Sequence, residues 1–219
     1  TDFLKGTLNG TNVSGSGGIA NISLTNNIRE LKENGSTVLL MHFNNDTGTG
    51  ENASLFYSNS TYGNNGTCNL ASAFCPVFNM SNSKLGAAAL EFDGVNDFVN
   101  ISYNSMFDMS GTGDFTLEAW IKTTTTAQKR IIAKSDTSNQ FGFKFGTHDS
   151  TPGVVELSTA STTTSQTLSN TKVNDGNWHH VAGIRRSSGT IQEIYIDGAL
   201  DISQSVAAKD ITGNVQIAI

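Results

Sequence analysis

"FTLEAWIKT", residues 115–123, alternates Phe115, Leu117, Ala119 and Ile121 with Thr116, Glu118, Trp120 and Lys122. Successive side chains on an extended chain point to opposite faces, so this period of two describes a strand with one apolar face and one more polar face that carries Trp120. "IQEIYIDG", residues 191–198, behaves in the same way: Ile191, Glu193, Tyr195 and Asp197 share one face, Gln192, Ile194 and Ile196 the other. Asp197-Gly198 then supplies a hairpin turn. Further out lie "TVLLMHF" (37–43), "ALEFDG" (89–94), "DFVNIS" (97–102), "RIIAKS" (130–135), "FGFKFG" (141–146), "VVELST" (154–159) and "HHVAGIRR" (179–186). Each is a short apolar run bounded by Gly, Asn, Asp or Ser. Many short strands and almost no helical period specify an all-β fold, a two-sheet antiparallel sandwich.

Two regions follow from the distribution of these runs. Residues 36–219 hold nearly all of them and form the main domain. Residues 1–35 read as an N-terminal arm, with β-prone pieces at 3–8 and 19–24 separated by a Gly/Ser break at 15–18. "NIRELKENG" places Ile28 and Leu31 at helical spacing but is too short to stand as a helix alone.

Charged residues make up 15% of the chain, 13 basic against 19 acidic, and the basic ones are scattered apart from Lys129-Arg130 and Arg185-Arg186, expected to be solvated strand ends. Nucleic acid, whose phosphates call for a clustered basic surface, is excluded as a partner. No apolar run approaches the roughly 20 residues of a membrane-spanning helix. The chain starts at Thr1, which reads as a processed or excised piece. Ten Asn-x-Ser/Thr sequons, at Asn9, Asn12, Asn21, Asn34, Asn45, Asn52, Asn59, Asn65, Asn79 and Asn100, crowd the first hundred residues and none follows. That density points to a glycosylated protein outside the cell or on its surface. Cys68 and Cys75 in "CNLASAFC" agree: they are close enough for a small local loop, and no His or further Cys stands nearby to complete a zinc site, so a disulfide is expected.

Taken in order, "LLMHFNND", "YGNNGT", "KLGAAALEFDGVNDFVNI", "DFTLEAWIKT", "RIIAKSD", "DGNWHHVAGIRR" and "IYIDGAL" resemble the laminin G-like, concanavalin A-like jelly-roll modules of secreted and cell-surface proteins, over about residues 37–219. The resemblance implies a jelly roll of two antiparallel sheets packed face to face. Such modules usually close with a Gly-x-Ile-Asp-Glu-Val-Arg-like strand beside the first strand, and this sequence stops at "VQIAI" (215–219), so the closing strand is expected to be lacking or replaced. The resemblance also implies calcium at a rim of the sandwich. The family's Asp-x-Ser-Gly-x-Gly-Asn-x-Gly loop is matched by "SNSTYGNNG", which keeps Gly63, Asn64 and Gly66 but has Ser58 in the usual Asp place. The ligand set is expected to be Asn44, Asn45 and Asp46 after the first strand with Asn64.

Glu91 and Asp93 sit two apart on an extended segment and point the same way, as in the Glu-x-Asp-x-x-Glu strand of sandwich-fold glucanases. The third acid is missing, because Gly94, Val95 and Asn96 follow, and Asp93-Gly94 opens a turn that Asp93, Asn96 and Asp97 would cap. A retaining glycosidase needs two carboxyls about 5–5.5 Å apart, and no second acidic cluster is evident. His179 and His180 point to opposite faces and cannot chelate one ion together; the resemblance implies a packed Trp178 and a buried, hydrogen-bonded His. His42 takes the same structural reading, and His148 falls in a polar loop. The expectation is a non-catalytic extracellular adhesion module that binds a glycan or a surface protein. The alternative is a structural subunit of a surface filament or layer, joined to other copies by strand addition; a glycoside-active enzyme is the least supported.

Overall fold

The computed structural model describes residues 32–109, 113–135, 141–159, 165–213 and 215–219. The arm pieces at 3–8 and 19–24, with sequons Asn9, Asn12 and Asn21, lie outside them. Fourteen strands are described: β1 (Leu55–Phe56), β2 (Gly66–Thr67), β3 (Val77–Asn79), β4 (Ala89–Glu91), β5 (Asn100–Ile101), β6 (Phe115–Lys122), β7 (Arg130–Ser135), β8 (Phe141–Thr147), β9 (Val154–Thr159), β10 (Gln166–Lys172), β11 (Trp178–Arg186), β12 (Ile191–Ile196), β13 (Ala199–Ser205) and β14 (Ile217–Ala218). Single 3-10 turns at Leu70–Ser72 and Ser105–Phe107 start on Asn69 and Asn104, whose side-chain oxygens accept the amides of Ala71 and Met106.

The larger sheet runs β1-β2-β5-β14-β7-β8-β9-β10, the smaller β13-β12-β11-β6, and β3 pairs with β4 alone. Every named pairing is antiparallel. The two sheets meet over Phe145, Val155, Leu157, Val173, Val181, Ile194 and Ile196, with Phe115, Leu117, Ala119 and Ile121 of β6 packed against them. The period of two in "FTLEAWIKT" therefore does aim its apolar row into the core. A second cluster, Ile101, Phe107, Phe143, Ile211 and Ile217, fills the other end. At the β12–β13 turn, Asp197 and Gly198 both have φ above zero, 52° and 81°, as a tight hairpin of right-twisted strands requires.

Two expectations are corrected. "TVLLMHF" is not a strand: it makes only the isolated bridge Met41↔Ser58, and it ends on left-handed Phe43 (φ 54°) and Asn45 (φ 55°). Val38, Leu39 and Met41 still pack on the second cluster, so the segment has the burial of a strand without a ladder. "VQIAI" itself enters the larger sheet, where Ile217 pairs with both Ile101 and Lys134 and wedges β14 between β5 and β7. Arg185 is not solvated. Strand alternation turns it inward, where it is fully buried, donates to the carbonyls of Gly113 and Lys209 at 2.8 Å each, and covers the Phe115 ring.

Candidate functional site

The expected calcium loop is built of hydrogen-bonded turns. Asp46 Oδ1 accepts the Gly48 amide and its carbonyl accepts those of Thr49 and Glu51. Asn44 Oδ1 accepts the Ala87 amide, 2.9 Å. Asn64, nearly buried, uses both ends of its amide: Nδ2 donates to Val38 O and Oδ1 accepts from Asn104 Nδ2, each 2.9 Å. Asn45 holds a left-handed backbone position. Among the described residues no group of three or more His, Cys, Asp or Glu is placed to hold a metal ion.

The carboxylates of "ALEFDGVND" form a capped turn. Asp93 Oδ1 accepts the amides of Val95, Asn96 and Asp97, and Asp97 Oδ2 accepts that of Asp93. The Val95 amide above all holds the Asp93 carboxyl below its ordinary range. Glu91 ends β4 and accepts from Asn79 Nδ2 at 2.8 Å. The Cys68–Cys75 disulfide forms, with Cα atoms 5.2 Å apart, and staples the turn that carries Leu70–Ser72.

The histidines part as strand geometry requires. His179 lies between two carboxylates, Nδ1 2.8 Å from Asp197 Oδ2 and Nε2 3.1 Å from Asp175 Oδ1. Its partial burial opposes the charged ring, but the bonds to Asp197 and then Asp175 outweigh that, and its pKa is raised. His180 stands on the opposite face against Trp120, ring centroids 5.3 Å apart. Trp120 remains about a third exposed, with the Lys84 ammonium 4.7 Å over its ring. His42 lines an open groove of about 340 Å³ with Lys32, Glu33, Leu40 and Asn59.

A further constellation occupies the outer face of the larger sheet. Phe143 and Phe145 of β8 are buried in the core, so alternation turns Lys144 and Gly146 outward, and His148 follows just past the end of the strand. In register, Gly146 lies between Arg130 of β7 and Glu156 of β9, and Lys144 faces Ser158. Glu156 is 1% exposed although it points away from the core. Its oxygens accept from Gln166 Nε2 at 3.0 Å and Gln128 Nε2 at 3.4 Å, with Lys144 Nζ at 3.5 Å. Arg130 Nη2 donates to Gln128 Oε1 at 3.0 Å, while Arg130 Nη1 and His148 Nδ1 are buried without a hydrogen-bond partner. Burial pushes the Arg130 guanidinium down from its ordinary value, against the pull of Glu156 and Asp149. Arg130 was expected to be a solvated strand end and His148 to be uninformative. The available signal was a charged residue in each of "RIIAKS", "FGFKFG" and "VVELST" (Arg130, Lys144 and Glu156) on the side opposite the core residues.

Residues 93–219, more than half the chain, match the family model of the concanavalin A-like lectin/glucanases superfamily. No curated protein sequence matches. Among solved structures, the chain is similar to the binding domain of Paraclostridial Mosquitocidal Protein 1, at 15% identity and a TM-score of 0.58, covering 75% of this chain and 42% of that one. The chain thus spans well under half the length of that structure. Weaker likenesses are to domain 4 of an extracellular arabinanase from Geobacillus stearothermophilus in complex with arabinotriose (16%, TM-score 0.47, 66% and 65%) and to domains LG4-5 of the mouse laminin alpha1 chain (12%, TM-score 0.39, 49% and 28%).

Proposed function

The chain belongs to the concanavalin A-like lectin/glucanases superfamily, and from that premise we propose that it is a non-catalytic extracellular recognition module for a glycan or a surface protein. Fold alone selects no activity in this superfamily. The observation that carries the reading is the state of the acid pair: Asp93 is consumed by three turn amides and Glu91 by Asn79, so Asp93 serves the turn after β4 and Glu91 the β3–β4 pairing, not a reacting bond. The sequons and the disulfide support an extracellular setting, and among the described residues no helix is long and apolar enough to cross a membrane. The test is retention of the pure protein on immobilised glycans and on cell-surface protein extracts. Retention on either supports the module. Glycan cleavage that disappears in Glu91→Ala/Asp93→Ala overturns it.

One observation favours a second reading, a structural subunit joined by strand addition. Among the described residues β6 is hydrogen-bonded in a ladder on one side only, to β11, and its inward row Phe115, Leu117, Ala119 and Ile121 is only half-buried. An edge of eight residues with an apolar row accepts a strand from another copy. Native size measured with and without residues 1–24 tests this: larger assemblies that the truncation abolishes support it, and an unchanged monomer overturns it.

A further inference from the structure

Two edges in the layer of the smaller sheet lack a ladder among the described residues. One is the β6 edge away from β11. The other belongs to the 37–43 segment, whose Val38, Leu39 and Met41 pack on the same second cluster as Phe115 and Leu117 of β6. One flank of that segment is taken. Leu40 O accepts the Asn59 amide at 2.7 Å, the Leu40 amide donates to Ser58 Oγ, and Val38 O accepts from Ser60 Oγ and Asn64 Nδ2. Backbone groups of successive residues in an extended chain point to opposite edges, so those of Leu39 and Met41 face the other flank. Asn82 and Lys84 reach β6 over its outward row, Asn82 accepting from Lys122 Nζ and Lys84 standing on Trp120. The inward row of β6 and Val38, Leu39 and Met41 are all half-buried, which leaves the core open between them.

A strand that closes this opening needs an apolar face toward the second cluster and a polar face toward water. "GIANISL", residues 18–24, lies outside the described residues and has that alternation: Ala20, Ile22 and Leu24 share one face, Ile19, Asn21 and Ser23 the other. Its sequon residue, Asn21, falls on the polar face, where a glycan points away from the core. "FLKGTL", residues 3–8, sets Gly6 between Leu4 and Leu8 and offers a broken row. Seven extended residues span about 23 Å, close to the length of the eight-residue β6.

The path of residues 32–36 decides which copy supplies the strand. They lie on the flank already taken, where the Thr61 amide donates to Glu33 Oε2 and the Tyr62 hydroxyl to Gly35 O, 3.3 Å each. The arm of the same copy has to cross the 37–43 segment to reach β6, and the arm of another copy approaches without a crossing. We infer that residues 18–24 of one copy pair as a strand between β6 and the 37–43 segment of the next, with Ala20, Ile22 and Leu24 sealing the core. Donor and acceptor surfaces differ, so the contact is head-to-tail and propagates. This rests on the structural-subunit reading and names its joint.

The test follows the size of the full chain against concentration by light scattering. Assemblies larger than a monomer are expected. Ile22→Asp puts a carboxylate into the inward row without altering a described residue, and should raise the concentration at which they form about tenfold or more. Leu4→Asp should leave that concentration unchanged. A mixture of Asn21→Cys copies with Glu118→Cys copies, or with Thr116→Cys copies for the neighbouring register, should oxidise to a linked pair, because residues opposite each other on one face of adjacent strands are within reach of a disulfide. Assemblies indifferent to Ile22→Asp and unlinked in both mixtures would overturn the joint and leave the structural-subunit reading standing on another surface. A monomer at every concentration would overturn both. A link that forms only within a chain carrying both cysteines would assign the strand to its own copy and overturn the exchange.

Discussion

Phe145 of the larger sheet rests on Gly183 of the smaller one, so closely that a Cβ on Gly183 would stand 2.8 Å from Phe145 Cε2 and 3.0 Å from Cδ2. A side chain at this position would meet the ring, so the packing requires glycine. Gly183→Ala should destabilise the fold by about 1–3 kcal/mol through overpacking, measured as a fall in Tm or denaturation midpoint. Adding Phe145→Leu should restore part of the loss, since the two positions are in contact and do not add independently.

Lys134 ties the second core cluster together. Its ammonium, 1% exposed, donates to the carbonyls of Phe107 and Ile211 and pairs with Asp108, which also accepts from Tyr103. Lys134→Met strips a partly exposed carboxylate and two carbonyls of their donor, and a loss of about 1–3 kcal/mol is expected in chemical denaturation. A loss below about 1 kcal/mol would mean that water replaces the ammonium.

His179 makes stability depend on pH in a defined direction. Its folded pKa is raised above 6.5, so its contribution is complete below that value and fades as pH rises through the higher folded value. Asp175, held at about 2 by the Asn177 amide and side chain and then by His179, works the other way: its contribution is present above 3.8 and is lost as pH falls toward 2. Tm should therefore decline as pH rises above 6.5, and His179→Ala should flatten that limb. An unchanged slope would show that the ring is uncharged between its two carboxylates.

Asn64 separates a structural amide from a metal ligand. With both ends bonded, Asn64→Ala should cost about 1–3 kcal/mol, and calcium chloride should leave that cost unchanged if the amide serves only Val38 and Asn104. A calcium-dependent rise in Tm present in the parent protein and abolished by Asn64→Ala or Asp46→Asn would establish the cation at this loop.

Reducing the Cys68–Cys75 bridge should cost about 2–3 kcal/mol, because it closes a short loop and so removes little freedom from the unfolded chain. The measurement is Tm with and without reductant, with Cys68→Ser/Cys75→Ser as the control.

Period-two alternation in "FTLEAWIKT" and "IQEIYIDG" was enough to assign strands, their inward faces and the Asp197-Gly198 hairpin, because these depend on local backbone geometry. The disulfide and the Asp93 turn were legible for the same reason, each partner lying within a few residues of the other. "TVLLMHF" was not, since a strand exists only where a neighbour completes its ladder, and composition says nothing of the neighbour. Arg185 was misjudged because its inward turn and its acceptors, the distant carbonyls of Gly113 and Lys209, are set by the packing of β6 and the segment before it.

What the sequence determined by itself was the all-β class, the alternation of faces, the family and the one-sided spread of sequons. What only the tertiary structure decided was which strands lie side by side. Arg130, Lys144, Glu156 and Gln166 come from four separate strands, and nothing in any one strand points to the others. They converge because antiparallel pairing sets strands about 4.8 Å apart in a fixed register, a long-range relation that no short stretch of residues encodes.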